Sequence, residues 1–315
     1  MDNTLRLEQY NASYKKLWDT FLDNSKNGHF FFKRDYLEYH SDRFEDISLL
    51  IFDNKDSVIA LLPANIKDKT LFSHQGLTFG GFIISNGMKI EIMLNIFKKL
   101  KFFCIQKDIK RIFYKCSPHF YHLKPSEEDL YALFVNNFNL VRRDVCATIN
   151  LSDKIKYRKG RKSLVKKAIK NELIFEKIFD YSSYWQLLEN VLKKYHNVNP
   201  VHSLDEIIKL SEIFPNNIKL YAAKRKGEIL AGALIFENKQ IVHTQYLANS
   251  DLGRELGALD LVIDRLLNET YINKKYFSFG TSLDSTGNLL NFGLLSQKEG
   301  FGARAVTHDS YELII

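Results

Sequence analysis

Residues 218–248 read IKLYAAKRKGEILAGALIFENKQIVHTQYLA. Three apolar runs, IKLYAAK (218–224), EILAGALIFE (228–237) and QIVHTQYLA (240–248), are separated by the short polar turns KRKG and ENK. Apolar runs bounded by such turns read as strands, and turns this short join antiparallel neighbours. The stretch therefore predicts a three-stranded meander. Helical periodicity precedes it at 157–170, 181–196 and 203–213. A helix at 255–270, a strand YFSFG (276–280), a helix near 287–298 and a strand at 303–314 follow.

The first half of the chain runs through the same order. Helices fit 13–24 and 33–43. The runs ISLLIF (47–52), SVIALLPANI (57–66) and TLFSHQGL (70–77) read as a second meander. Helix 89–106, strand 110–116, a helix near 126–136 and strand 139–150 come next. The third runs share lettering, LFSHQGL against IVHTQYL. An order of elements that occurs twice predicts a duplicated α/β domain with mixed sheets of α+β character, divided as 1–152 and 153–315. A chain of 315 residues suits two cores of about 150 residues each.

No apolar run approaches the roughly 18 residues that span a bilayer. The start, MDNTLRLEQY, has neither the basic head nor the apolar core of a secretory signal. Cys104, Cys116 and Cys146 are odd in number and show no CxxC spacing, as expected of reduced, buried thiols in a cytoplasmic protein. There is no metal motif and no clear sign of the oligomeric state. Nine Lys and Arg crowd KIKYRKGRKSLVKKAIK (154–170), which has no acid, and they exceed the whole net charge of +8. The excess is one local patch, suited to a discrete phosphate-bearing partner or to a solvated basic helix.

The element order resembles that of the GNAT acyltransferase fold. Its tandem repetition resembles the FemAB-like branch, which includes aminoacyl transferases of peptidoglycan synthesis. SHQGLTFGG (73–81), PVHS (200–203), FGTSLDSTGNLLNFGL (279–294) and QKEGFGAR (297–304) are similar to GNAT-like proteins of bacterial surface-polysaccharide gene clusters. The resemblance implies N-acyl transfer from acetyl-CoA or another acyl-CoA to an amino sugar, often nucleotide-linked, in envelope-polysaccharide biosynthesis.

An acyl-CoA pyrophosphate would sit on backbone N–H groups where a loop opens a helix. SDLGRELGALD (250–260) is so placed after the third run of the second meander. Arg254, Gly257 and Ala258 approximate the family's Q/R-x-x-G-x-G/A pattern, although Leu259 replaces the final small residue. Gly253 offers a shifted frame, and Leu247 ends the strand on the donor side. The first half lacks such a loop, which places one donor site in the second domain.

Attack on a thioester needs a neutral amine, an oxyanion donor and a proton for the leaving thiolate. His243 and His202 are candidate bases, Asp284 and Glu299 candidate carboxylates, and Tyr246 a candidate acid. A lone strand histidine is more often a hydrogen-bonded core residue than a base. Ten of the fifteen glycines fall at 76–81, 253–257 and 280–302, which reads as backbone approaching a ligand. On this reading Gly76, Gly80, Gly81, His74 and Thr78 line an acceptor cleft, and Gly280, Thr281, Ser282 and Asn291 meet sugar hydroxyls. Lys298, Arg158, Arg161 and Lys162 meet phosphate, and the resemblance adds Lys33 and Arg34 on an early helix.

Two other functions fit. A Fem-type transferase would take aminoacyl-tRNA on the 154–170 patch, although no long coiled-coil arm is present. A noncatalytic nucleic-acid-binding protein would need aromatics interleaved with its cations, and the patch has only Tyr157.

Overall fold

The computed structural model describes residues 5–284 and 287–315, in two compact units: residues 1–144 with 307–315, and residues 145–306. These units and the sequence division at 152/153 differ in where residues 145–152 and 307–315 fall. Both units have mixed sheets flanked by helices, so the fold is of the predicted α/β class.

Unit 1 contains two sheets. Strands β1 (Arg6–Gln9), β3 (Leu49–Phe52), β4 (Val58–Leu62) and β7 (Ile83–Ile84) pair antiparallel in the order β1-β3-β4-β7. The second sheet joins β2 (Glu45–Asp46), β5 (Asn65–Lys67), β6 (Thr70–Phe72) and β8 (Arg111–Lys115), with β6 and β8 parallel. Helices α1 (Lys15–Asn24), α2 (Arg34–Leu37), α3 (Ile90–Gln106) and α4 (Glu128–Val135) surround them. Met93, Ile96, Phe97, Leu100 and Cys104 of α3 recur at helical spacing and are buried against the first sheet's core.

One expectation fails here. TLFSHQGL is not the third strand of a meander. Its first three residues form β6, and the third strand is the two-residue β7. Residues 73–82 cross from one sheet to the other. The helix expected at 33–43 is also shorter, a single turn of α followed by a 3₁₀ turn.

Unit 2 follows the sequence prediction more closely. The C-terminal part of β9 (Asn139–Asn150) leads through α5 (Lys159–Lys170) to β10 (Ile174–Ile178), α6 (Tyr181–His196) and α7 (Leu204–Ile213). The meander β11 (Ile218–Arg225), β12 (Glu228–Glu237) and β13 (Ile241–Asn249) follows, then α8 (Asp251–Leu256), α9 (Ala258–Arg265), β14 (Tyr276–Thr281), α10 (Phe292–Gly300) and the first residues of β15 (Arg304–Ile314), the rest of which belongs to unit 1. The sheet order is β10-β11-β12-β13-β14-β9. Between its terminal glutamates β12 is apolar because both its faces are covered. Ala231, Ala233 and Ile235 join the core with α9, while Gly232 lies against Tyr184 of α6. The helix expected at 255–270 is broken at Gly257, whose left-handed φ of 78° ends α8 and begins α9.

Candidate functional site

The parallel pairing of β13 with β14 covers three residues, Ile241–His243 against Tyr276–Ser278. Beyond it neither strand continues that register. β13 has an extra residue, Gln245, where Leu234 and Ile235 of β12 face Tyr246 and Thr244. β14 carries an extra residue against β9 between Ser278 and Thr281, where Gly280 takes φ 66°. The strands part where the backbone is bulged on both sides.

A buried row of polar side chains marks this splay. His243 pairs in register with Ser278, and Ser278 with Thr148 of β9. All three are under 9% exposed, between the buried apolar neighbours Val242, Phe277, Phe279, Ala147 and Ile149 of their strands. Ser278 Oγ accepts from Gly280 N at 3.1 Å. The Thr148, Thr244 and Ser282 hydroxyls are buried without a hydrogen-bond partner among the described residues. Such groups cost free energy and need an account. Lys298 of α10 reaches in from the same side. Its Nζ donates to Thr281 O at 2.6 Å, with Gly280 O at 3.4 Å, and burial lowers its pKa to about 8. Burial, with the Lys298 charge second, lowers His243 to about 4. His243 is therefore neutral at pH 7 but a weak base. A side chain on Gly280 would meet its ring at 2.9 Å.

A second pair lies further along β13. His202 Nδ1 and Tyr246 Oη are 2.8 Å apart, and Tyr246 Oη also accepts from His202 N at 3.2 Å. His202 sits just before α7, which Ser203 and Glu206 start with a reciprocal capping box. Trp185 lies edge-on to Tyr246, and burial raises the Tyr246 pKa. The pair is a hydrogen-bonded proton donor and acceptor, with Tyr246 on the strand that lines the splay and His202 ahead of α7.

The expected donor loop is occupied by its own chain. Gly253 N donates to the N-cap Ser250 Oγ at 3.0 Å. Asp251 stands in the first turn of α8, paired with Lys194 at 2.6 Å and with the Tyr195 hydroxyl. A side chain on Gly257 would lie 2.4 Å from the Leu164 carbonyl, and Ala258 is fully buried. Arg254 is exposed, its guanidinium 4.2 Å from the Tyr195 ring centre, and Leu247 packs on the core.

Other expected residues have structural partners. Asp284 Oδ1 accepts from Asn288 N and Leu289 N within its own turn. Lys298 faces carbonyls at the splay rather than a surface phosphate. Arg158 donates to Ser296 Oγ at 2.8 Å with Glu299 at 3.9 Å, and Arg161 pairs with Asp260 at 2.9 Å beside Phe301. Asn291 caps α10 through Leu294 N, and Thr281 is half-buried. In unit 1, Arg34 is buried between Glu38 and Asp46 under the Tyr10 ring, and Lys33 pairs with Asp23 at 2.7 Å.

The glycines of 73–82 are explained by packing. A Cβ on Gly80 would lie 1.9 Å from Ser73 O, one on Gly76 would strike Phe44 and His40, and Gly81 holds φ 85° beside Tyr114. His74 is buried with a left-handed φ of 68°, while Thr78 is exposed. Sequence reasoning missed Thr148, Ser278 and Thr244. The available signal was a buried hydroxyl residue beside apolar neighbours, in ATI of β9, FSF of β14 and the more polar VHTQ of β13, but only the register aligns Thr148 with Ser278. Among the described residues no cluster of His, Cys, Asp or Glu could hold a metal ion, and no helix is long and apolar enough to cross a membrane.

No protein-family model and no curated protein matches the sequence. Solved structures do. FemX superposes with a TM-score of 0.70 over 98% of this chain and 97% of that one, at 10% identity. The chain has a FemAB-like tandem GNAT fold. L-PGS from Bacillus licheniformis (TM-score 0.62, 13% identity, 98% and 92% covered) shares that fold. So does a tandem GNAT protein from the clavulanic acid biosynthesis pathway (TM-score 0.51, 8% identity, 98% of each chain). The tandem GNAT fold accounts for the repeated order of elements in the sequence.

Proposed function

We propose that the protein is an N-acyltransferase whose reaction takes place at the β13–β14 splay of unit 2. The observation that carries this is the buried row His243–Ser278–Thr148 where a three-residue parallel pairing ends between two bulges. Strand N–H groups past His243 lie beyond the β14 ladder. They are suited to receive a developing oxyanion without a side chain. Tyr246 supplies the proton to the leaving group, and His202 takes the proton of the attacking amine through their 2.8 Å contact. Lys298 holds the Gly280–Thr281 turn in place.

The donor in this reading is acetyl-CoA or another acyl-CoA. The acceptor is the amine of a nucleotide-linked amino sugar, in the envelope-polysaccharide setting that the sequence resemblance implies. A second reading, a Fem-type aminoacyl-tRNA-dependent transferase, is favoured by Asp251 at the α8 N-terminus. Its carboxylate stands where a pyrophosphate would otherwise be welcomed.

Calorimetry with acetyl-CoA separates the two. Micromolar binding that Arg254→Glu weakens at least tenfold supports the acyl-CoA donor. No binding of any acyl-CoA, with aminoacyl-tRNA consumed in a transfer assay, gives the second reading. Tyr246→Phe should lower turnover about a hundredfold on either donor. Full activity in that variant removes the proton-relay assignment.

A further inference from the structure

The basic segment separates into two kinds of cation. Arg158 and Arg161 are used within the unit, and Lys154 reaches Asn268 Oδ1 at 2.8 Å. By contrast Lys159, Lys162, Lys166, Lys167 and Lys170 of α5 are all exposed, and none forms an ion pair among the described residues. At 3.6 residues per turn their spacing places them on one face, opposite the buried Val165 and Ala168. From Lys159 to Lys170 that face is about 16 Å long. Ile169, 51% exposed, lies on its flank, and Ile155, 44% exposed, lies just before the helix.

We propose that this face docks the protein on an anionic membrane surface. A nucleotide presents one or two adjacent phosphates, which a compact fork of cations would meet. Five separate ammonium groups along about 16 Å match an extended negative surface instead. Two features favour lipid over nucleic acid. The face has no aromatic on which a base could stack, and of the arginines suited to bidentate phosphate contacts Arg161 is turned inward to Asp260 and the Phe301 ring, while the exposed Arg158 is engaged with Ser296. What flanks the lysines is aliphatic, and exposed Ile beside Lys is the composition that settles at the boundary of headgroups and acyl chains. The attachment is peripheral and reversible, and it is independent of which acyl donor is used.

The test is co-sedimentation of the full chain with phosphatidylcholine vesicles, with and without about one third phosphatidylglycerol, at low salt and at about 0.5 M salt. The triple variant Lys159→Glu, Lys166→Glu, Lys170→Glu changes only exposed positions, and an unchanged melting temperature verifies its fold. Each lysine near an anionic bilayer contributes about fivefold to partitioning, so the variant should lose at least about a hundredfold. High salt should release the wild type, and neutral vesicles should not bind it. Ile169→Ser should weaken binding severalfold. Equal partitioning of wild type and variant, or equal binding to neutral vesicles, overturns the proposal. So does failure to bind vesicles while transfer RNA binds the wild type and not the variant, which would assign the face to nucleic acid.

Discussion

The two units place different things where a strand hands over to its helix. In unit 2, β13 pairs in parallel with β14 for three residues and then parts from it over a row of buried hydroxyls. In unit 1, β7 is two residues long, and the parallel neighbour of β8 is β6, from the other sheet. Residues 73–82 run between these sheets and fill the space. Lys115 Nζ ties down the carbonyls of His74, Gln75 and Leu77 at 3.3, 3.1 and 2.7 Å, and Phe79 packs among His29, Phe31 and Tyr121. A shared order of elements thus gives one parted pair of strands edged with polar groups and one plugged by its own backbone. We infer that transfer chemistry belongs to unit 2.

The largest break in this comparison should come from Gly80→Val. The added Cβ would meet the Ser73 backbone carbonyl, which has no room to yield, so a loss of about 3 kcal/mol or more is expected. Thermal unfolding measures it. Retained stability with altered activity would return this loop to the substrate side. Gly287, at φ 72° with no described residue within 4 Å of its Cβ position, is the control, and Gly287→Ala should cost only about 1 kcal/mol.

Acid should separate the units next. Burial lowers His122 and His308 to about 4 and His74 to about 3 in unit 1, and His243 to about 4 in unit 2. A histidine depressed in the folded state binds fewer protons there than when unfolded. Its stability is present above about pH 6.5 and is lost as pH falls towards 4, by up to about 3 kcal/mol each. Asp129 opposes this: burial raises it to about 6, so its contribution falls as pH rises from about 4 to 6. The three histidines outweigh it. Hydrogen exchange at pH 4.5 and 7 should show unit 1 opening first, and the opposite order would contradict the comparison. Asp129→Asn should steepen the acid loss of unit 1.

The two buried lysines offer a finer test. Lys115→Met should lower stability by about 1–3 kcal/mol and leave turnover unchanged, because it frees only loop carbonyls in unit 1. Lys298→Met should cost a similar amount but also reduce turnover tenfold or more, through the Gly280–Thr281 turn. Equal kinetic effects would show that the lysines do not distinguish the units. The smallest expected change is at Thr148. Its hydroxyl is buried and unpaired, so Thr148→Val should raise stability by about 1 kcal/mol while slowing transfer. A loss of stability would mean that the hydroxyl is structural.

Some of the candidate site was legible in the sequence. His243, His202, Tyr246 and Gly280 stood out as polar or glycine residues inside apolar strands or next to a helix start, and the structure brings them to β13 and its neighbours. Arg34, Arg161 and Asp284 were equally visible, yet their partners are internal. A charged residue's spacing does not say whether it meets a ligand or another side chain. The glycines of 73–82 show the same ambiguity. A missing Cβ signals close approach, and here what approaches is Ser73, Phe44, His40 and Tyr114.

The sequence by itself determined the duplicated order of helices and strands, the second meander and the local basic patch. Each depends on periodicity, turn chemistry or charge, which act over a few residues. Tertiary structure alone decided that TLF leaves the meander and pairs in parallel with β8. It also decided that His243, Ser278 and Thr148 form one row, and that Arg161 of the patch turns inward to Asp260 while the lysines of α5 face out. Those outcomes depend on register and packing between segments up to 130 residues apart, from Thr148 to Ser278, and no local pattern carries that information.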